Sequence, residues 1–379
     1  MNLGPLVLIF AAALLAPVIA HATRGFVPIV VAQTLAGVAL GVTGFDVLDP
    51  GRADLALLDT LGFATLMFTV GMHVPLRDER LRPTLPRGVR AALLALPLAV
   101  LAGWATHLIV GGPAVVYAVI IASSSAAVAL PLMDERGASG ESAYTAMSWI
   151  IAADVIAMVA VPLALAPGDA PKSLLGALAV AAAGAVLFFA VRRGRRLAWI
   201  HALRKEGKHR DWAIDLRAAL LVLVSLSFIA DKAGTSVLIA GFATGLVVGA
   251  IGGPKRLSRE VLGLGQGFLI PVFFVLLGAK VDLRALGHEP GAIALTATLL
   301  AATLAVHLVI SRVIRAPWST GVLASAQMGV PAAVIALGLP IDALDQAEAS
   351  AILCAAILSL VLAGAAARVM PAAASDGTT

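Results

Sequence analysis

Apolar stretches of about 20 residues follow one another along this chain, and each is long enough to span a bilayer. They run near 4–20, 26–43, 54–72, 88–110, 113–133, 141–165, 172–191, 213–231, 235–251, 263–282, 291–311, 318–339 and 347–367. A backbone in hydrocarbon must satisfy its own polar groups, so only helices and closed barrels cross a membrane. Unbroken apolar runs of this length fit helices rather than the short alternating strands of a barrel. The expectation is an all-α integral membrane protein with about 13 transmembrane helices. With 60% hydrophobic and 13% charged residues among 379, there is too little polar surface to cover a soluble core.

Basic residues set the expected orientation. With Met1 outside, the inner segments hold Arg24, the five arginines from Arg77 to Arg90, Arg136, nine basic residues from Arg192 to Arg217, Lys255, Arg256, Arg259, Arg312, Arg315 and Arg368. The outer segments hold only Arg52, Lys172, Lys232 and Arg284. That asymmetry places the N-terminus outside and the C-terminus in the cytoplasm of a multi-pass cell-membrane protein. The +5 net charge then belongs to cytoplasmic loops, with no nucleic acid implied. The basic linker 192–212 reads as a cytoplasmic segment that touches anionic membrane lipid. Met1–Pro5 lacks a basic region, so no cleaved signal peptide is expected. The one cysteine, Cys354, excludes an intramolecular disulfide.

The chain also resembles itself. Gly37-Val38-Ala39-Leu40-Gly41 matches Gly245-Leu246-Val247-Val248-Gly249. Phe68 to Leu76 matches Val275 to Leu283 through a Gly, a basic residue, Val and Leu. Thr106-His107-Leu108-Ile109 is echoed by Val306-His307-Leu308-Val309. Matched segments lie seven apart, an odd number, so they cross the membrane in opposite directions. This is an inverted-topology repeat, with one copy near 26–165 and the other near 235–367 in a single transmembrane transporter unit, 1–379. The glycine spacings at Gly37, Gly41, Gly241, Gly245 and Gly249 let helices approach closely, by packing within the chain rather than at a dimer seam.

Two segments of the repeat are interrupted. The fifth contains Ser123-Ser124-Ser125, with Pro131 later; the twelfth contains Ser325-Ala326-Gln327-Met328-Gly329-Val330-Pro331. Pro331 has no N–H for residue 327 and crowds its carbonyl, while Gly329 weakens the helix beside it. Two such discontinuous helices, running antiparallel, are expected to cross at mid-membrane with free carbonyls and opposed dipole ends facing one place. The serines have a blander use, bonding back to their own helix. Next to them, in 141–165, stands one carboxylate, Asp154, about 13 residues into its span. A charge there costs at least ~3 kcal/mol unless the group takes a proton or holds a cation. The two occupants exclude each other, and exclusion is what exchange requires. The candidate ion- and proton-binding residues are therefore Asp154, as ligand of a monovalent cation, with Ser124, Ser125, Gln327 and Lys280; the hinges are Pro131, Gly329 and Pro331. Lys280 either snorkels to the interface or bends inward as a counter-ion. His73 reads as interfacial, and His107 and His307 as interhelical hydrogen-bond formers or pH-sensitive groups.

These residues carry a resemblance to the cation/proton antiporter superfamily, in its Kef-like and Nap-like branch. Pro28 to Gly37 is similar to that family's early P-x-V-x-G-E-I-L-A-G stretch, with Gln33 where Glu is usual. Leu61-Gly62 through Gly71, Ser124 to Leu130, and Pro271-Val272-Phe273-Phe274 through Asp282 resemble three further motifs. The resemblance implies the sodium/proton antiporter fold, a homodimer, and an elevator-like movement of a core domain that carries Asp154. It implies exchange of Na⁺ or K⁺ for protons by alternating access. Ala153 before the Asp, Ala126 in the broken helix and Gly329-Val330-Pro331 depart from the family pattern and leave fewer ligand oxygens. One carboxylate with no second beside it favours a one-for-one, electroneutral swap. The alternative is a sodium-coupled solute symporter of related fold. An intramembrane enzyme using Ser123–Ser125 with His107 or His307 would need an elbow or metal motif that is not written here, so neither an enzyme nor a cofactor is expected.

Overall fold

The structure is a computed structural model. It describes residues 3–23, 27–73, 79, 81–126, 129, 133, 140–194, 202–203, 206, 210, 212, 214–232, 237–251, 263–367 and 369. Pro131 and most of the 192–212 linker lie outside the described residues, as does the side chain of His73. The described elements are helical. Seven of the described helices are long and apolar enough to cross a membrane, and five shorter apolar ones accompany them. With the interrupted fifth segment, they fall on the thirteen positions expected from the sequence.

The chain divides into two compact units. The first comprises residues 1–50, 78–166 and 274–379. It contains α1 (Gly4–Ala22), α2 (Ile29–Leu40), α4 (Leu85–Val110), α5 (Ala114–Ala122) and α6 (Glu141–Leu165). It also contains most of α10 (Ile270–Lys280), then α11 (Leu283–His288), α12 (Pro290–Val313), α13 (Trp318–Ala324), α14 (Gly329–Gly338) and α15 (Gln346–Ala367). Its packing is inside-out by the standard of a soluble bundle. The buried stripe of α4 is Gly88, Ala91, Ala92, Ala95, Ala99, Gly103 and Thr106, while Leu93, Val100, Leu101, Trp104, Leu108 and Ile109 are exposed. Lipid is as apolar as leucine, so helix association gains from close backbone approach rather than from hiding large side chains. A Cβ on Gly103 would lie 2.6 Å from the Ala118 nitrogen, and one on Gly88 2.5 Å from the Ser148 carbonyl carbon.

The second unit comprises residues 51–77 and 167–273. It holds α3 (Ala53–His73), α7 (Ala170–Gly194), α8 (Ile214–Lys232), α9 (Val237–Ile251) and the start of α10. Ala64 and Phe68 of α3 pack with Ala219 and Leu223 of α8. Phe63 stacks on Phe273 with ring centroids 5.2 Å apart.

Matched glycines in the two repeat copies make matched contacts. Within the first unit, a Cβ on Gly37 would run into the Val275 carbonyl oxygen, and one on Gly278 into that of Thr34. Within the second, Gly245 meets the Phe68 carbonyl oxygen and Gly71 that of Phe242. The alignment pairs Gly37 with Gly245 and Phe68 with Val275, and the same register sets Thr34 opposite Phe242. So α2 on α10 and α9 on α3 are one helix contact made twice. All these glycines pack within the chain.

Three local features had no sequence signal. Residues Gly265–Leu269 form a π turn ahead of Ile270-Pro271. The proline has no N–H for an i−4 carbonyl and its ring crowds that carbonyl, and a wider turn relieves both. Asp282 caps α11 by accepting from the Arg284 N–H at 2.9 Å, which turns the end of the tenth segment into a short extra helix. At the opposite end, Gly140 at φ 88 leads into α6 through a conformation other residues resist.

Candidate functional site

The fifth segment breaks because its serines compete for the backbone. After Ala122 the chain turns extended, Ser123 having φ −78 and ψ 161. The Ser123 N–H and hydroxyl both donate to the Ile120 carbonyl, at 3.0 and 2.8 Å. Helix resumes at Ala126, and the Ala129 N–H donates to the Ser125 carbonyl at 3.0 Å. Ser123, Ser124 and Ser125 are all buried. Ala126 is thus the first helical residue after the break, and its own N–H is free of the Ala122 carbonyl.

The twelfth segment breaks between Ala324 and Gly329. The Ser325 N–H reaches back to the Gly321 carbonyl, the Ala326 N–H to that of Leu323, and Met328 at φ −154 carries the chain into α14. Pro331 falls in the first turn of α14, where its missing N–H would have had no acceptor.

The two breaks are joined directly. The Ser124 hydroxyl donates to the Ala324 carbonyl. The Gln327 amide nitrogen donates to the Ile120 carbonyl at 2.7 Å and lies 3.3 Å from the Thr303 hydroxyl and 3.4 Å from the Ser123 carbonyl. The Gln327 N–H donates to the Ser359 hydroxyl at 3.1 Å. Hence α12 and α15 brace the crossing.

Asp154 meets this crossing from α6. It is only 2% exposed, and its Oδ2 accepts the Ala126 N–H at 3.2 Å. Among the described residues its Oδ1 has no hydrogen-bond partner. A backbone N–H donating to a carboxylate favours its charged form. The arrangement therefore tolerates the charged form while leaving one oxygen for a second occupant, a proton or a cation.

Of the expected site residues, Asp154, Ser124 and Gln327 come together at the breaks, and Ser125 immediately precedes Ala126. The Ser124 hydroxyl holds backbone, and the Gln327 amide holds backbone and contacts the Thr303 hydroxyl. Lys280 is the last residue of α10 and half-buried. The histidines differ from the interhelical bonding expected of them. His107 Nδ1 pairs with the Gly112 carbonyl at 2.6 Å, just past its own helix, and His307 Nδ1 with the Thr303 carbonyl one turn back at 2.9 Å. Sequence reasoning missed Thr303, Ser359 and the Ala126 N–H. A lone hydroxyl in an apolar helix usually bonds its own turn, and a backbone N–H has no letter in the sequence.

Crossed, broken helices within an inverted repeat, with a buried carboxylate at one break, define a polytopic membrane protein of the antiporter fold. The chain belongs to the family of sodium/hydrogen exchangers, transmembrane, whose profile matches residues 10–370. Its structure is similar to that of the sodium proton antiporter MjNhaP1 from Methanocaldococcus jannaschii, with a TM-score of 0.62 at 15% identity over 97% of this chain and 98% of that one. It is 25% identical to YjbQ of Bacillus subtilis over 325 residues, 80% of this chain but only 51% of that protein. It is 24% identical to a Na⁺/H⁺ antiporter of Enterococcus hirae over 271 residues, 69% of each chain. Against K⁺ efflux antiporter 2 of Arabidopsis thaliana, 25% identity covers 65% of this chain and 22% of the relative. The chain thus spans about half the length of YjbQ. These relatives lend no support to the solute-symporter alternative.

Proposed function

We propose that this chain exchanges a monovalent cation, Na⁺ or K⁺, for protons across the cell membrane, with Asp154 as the shared carrier. The observation that carries the reading is the half-satisfied carboxylate: Oδ2 held by the Ala126 N–H, Oδ1 with no partner among the described residues, in a site 2% exposed. A proton on Asp154 removes the charge that would hold a cation, and a cation offsets the charge that would draw a proton. Loading one therefore unloads the other. With one carboxylate at the crossing, the exchange is one for one and electroneutral. Alternating access, a homodimer, and an outside N-terminus with a cytoplasmic C-terminus complete the reading.

The test is reconstituted exchange. Proteoliposomes with an acidic interior should lose their proton gradient when Na⁺, K⁺ or Li⁺ is added outside, and the comparison identifies the cation. Asp154→Asn keeps the shape and cannot take up or release a proton, so exchange should drop to the level of empty liposomes. Wild-type exchange in that variant would reject Asp154 as the carrier.

A further inference from the structure

One buried group takes no part in the exchange described so far. His307 on α12 is fully buried, and its ring stacks on Trp149 of α6, 5.3 Å between centroids and 17° between planes. The Nδ1 partner is a carbonyl, which only accepts, so Nδ1 carries the hydrogen and Nε2 presents a lone pair. Among the described residues Nε2 has no hydrogen-bond partner. The same holds for Trp149 Nε1, which can only donate, and for the hydroxyls of Thr145 and Thr320.

These groups sit on α6, α12 and α13, with α13 packed on both of the others and Trp149 stacked on His307. Thr145 lies one helical turn before Trp149 on the same face of α6. Thr320 precedes Gly321, whose Cβ would lie 2.7 Å from the His307 carbonyl oxygen. One acceptor, one donor and two hydroxyls, unpartnered among the described residues, are the complement of water, which needs two to four polar partners when buried. Each group left unpaired in the interior is costly.

The position matters as much as the chemistry. At one end of this unit Arg87 of α4 pairs with Glu141, the first residue of α6, and donates to the Ile314 carbonyl just past the end of α12. Measured from that end at 1.5 Å per residue, Trp149 lies roughly 12 Å deep, His307 roughly 9 Å and Asp154 roughly 20 Å. His307 is also tied to the crossing: its Nδ1–H holds the Thr303 carbonyl, and the Thr303 hydroxyl contacts the Gln327 amide that spans the two breaks.

We propose that His307, Trp149, Thr145 and Thr320 enclose a buried water site that relays protons between the Arg87 end of this unit and Asp154. A proton delivered by water binds His307 Nε2 and makes the imidazolium. It leaves from the same nitrogen to a water on the Asp154 side, because Nδ1–H stays committed to Thr303. The transient cation faces the indole of Trp149 within the roughly 6 Å at which an aromatic face stabilises positive charge. The cation substrate does not use this route.

The proposal rests on Asp154 as carrier, and one set of proteoliposome measurements separates the two ideas. His307→Phe keeps an aromatic ring against Trp149 and removes both ring nitrogens. Its maximal exchange at saturating cation should fall at least tenfold, with the half-saturating cation concentration within twofold of wild type. Imidazole in the buffer should restore part of the loss. A maximal rate within twofold of wild type overturns the relay, and so does a fall in rate matched by an equal loss of cation affinity, which marks a structural role. If His307→Phe does not purify as a folded protein, Trp149→Phe decides, since it deletes one N–H and keeps the stack: a threefold or greater fall supports the relay, an unchanged rate overturns it. Asp154→Asn is run alongside. Exchange persisting there sinks the carrier; exchange lost there but intact in His307→Phe sinks the relay alone.

Discussion

Gln327 offers the sharpest check on how the two broken helices hold each other. Its side-chain nitrogen faces the carbonyls of Ile120 and Ser123, which only accept, and the Thr303 hydroxyl. One contact is short, at 2.7 Å, and the other two are long. Replacing Gln327 by leucine removes all three. The Ile120 carbonyl keeps the Ser123 N–H and hydroxyl, so it is not stranded. The loss is then the net worth of one good and two weak hydrogen bonds, about 1–3 kcal/mol of unfolding free energy. Gln327→Glu is nearly isosteric but aims oxygen at oxygen and buries a charge, whose penalty is several kcal/mol when unpaired. The glutamate variant should therefore be the less stable of the two, reversing the order that polarity alone would suggest. Thermal unfolding in detergent, followed by tryptophan fluorescence, reads the order. At roughly 2 °C for each kcal/mol in a chain of this size, the leucine variant should melt about 2–6 °C below wild type. A leucine variant that melts with wild type, or a glutamate variant above the leucine one, would refute the donor role assigned to this amide.

Two further outcomes follow from the packing. Gly278→Ala and Gly71→Ala each drive a Cβ into a backbone carbonyl oxygen, of Thr34 and Phe242 respectively, so both should destabilise by about 1–3 kcal/mol and by similar amounts. Gly364→Ala, which meets nothing within 4 Å, should be neutral or stabilising by about 0.5–1 kcal/mol, and equal losses at all three in thermal unfolding would discredit the contact argument. At the Arg87 end, Arg87→Met strips the Ile314 and Arg315 carbonyls of their donor and should cost about 1–3 kcal/mol. Glu141→Gln removes only the partner whose side chain is 75% exposed and should cost less than about 1 kcal/mol, so equal melting shifts would show that the surface ion pair dominates instead.

The legible part of this molecule is the part governed by bilayer thickness and by backbone approach. Apolar run length placed the helices, because an unbroken run of that length in hydrocarbon satisfies its own backbone only as a helix. Glycines placed the contacts, because only a missing side chain lets α2 reach α10 or α3 reach α9. Asp154 was legible because a lone carboxylate among apolar residues is expensive. What the letters did not carry is which polar group satisfies which. His107 and His307 turned to carbonyls near or on their own helices, where a local partner is always within reach. Ser124 and Gln327, read as ion-binding residues, also hold backbone across the crossing, at Ala324 and Ile120 respectively. Thr303 and Ser359 looked like any hydroxyl that folds back on its own turn. The π turn before Pro271 is a backbone answer to a proline, and its position depends on packing.

The break and the carboxylate explain each other. In an uninterrupted fifth helix the Ala126 N–H would be bound to the Ala122 carbonyl and closed to any side chain. The extended serines uncouple those two groups, and the freed N–H turns to Asp154 at 3.2 Å. A full second hydrogen bond on Oδ1 would anchor the carboxylate and compete with its guest, whereas none on either oxygen would make its charge prohibitive in that setting. A single backbone donor lies between these extremes, and backbone cannot itself take up or lose a proton. The interruption thus supplies a fixed half of the carboxylate's solvation and leaves Oδ1 without a hydrogen-bond partner among the described residues.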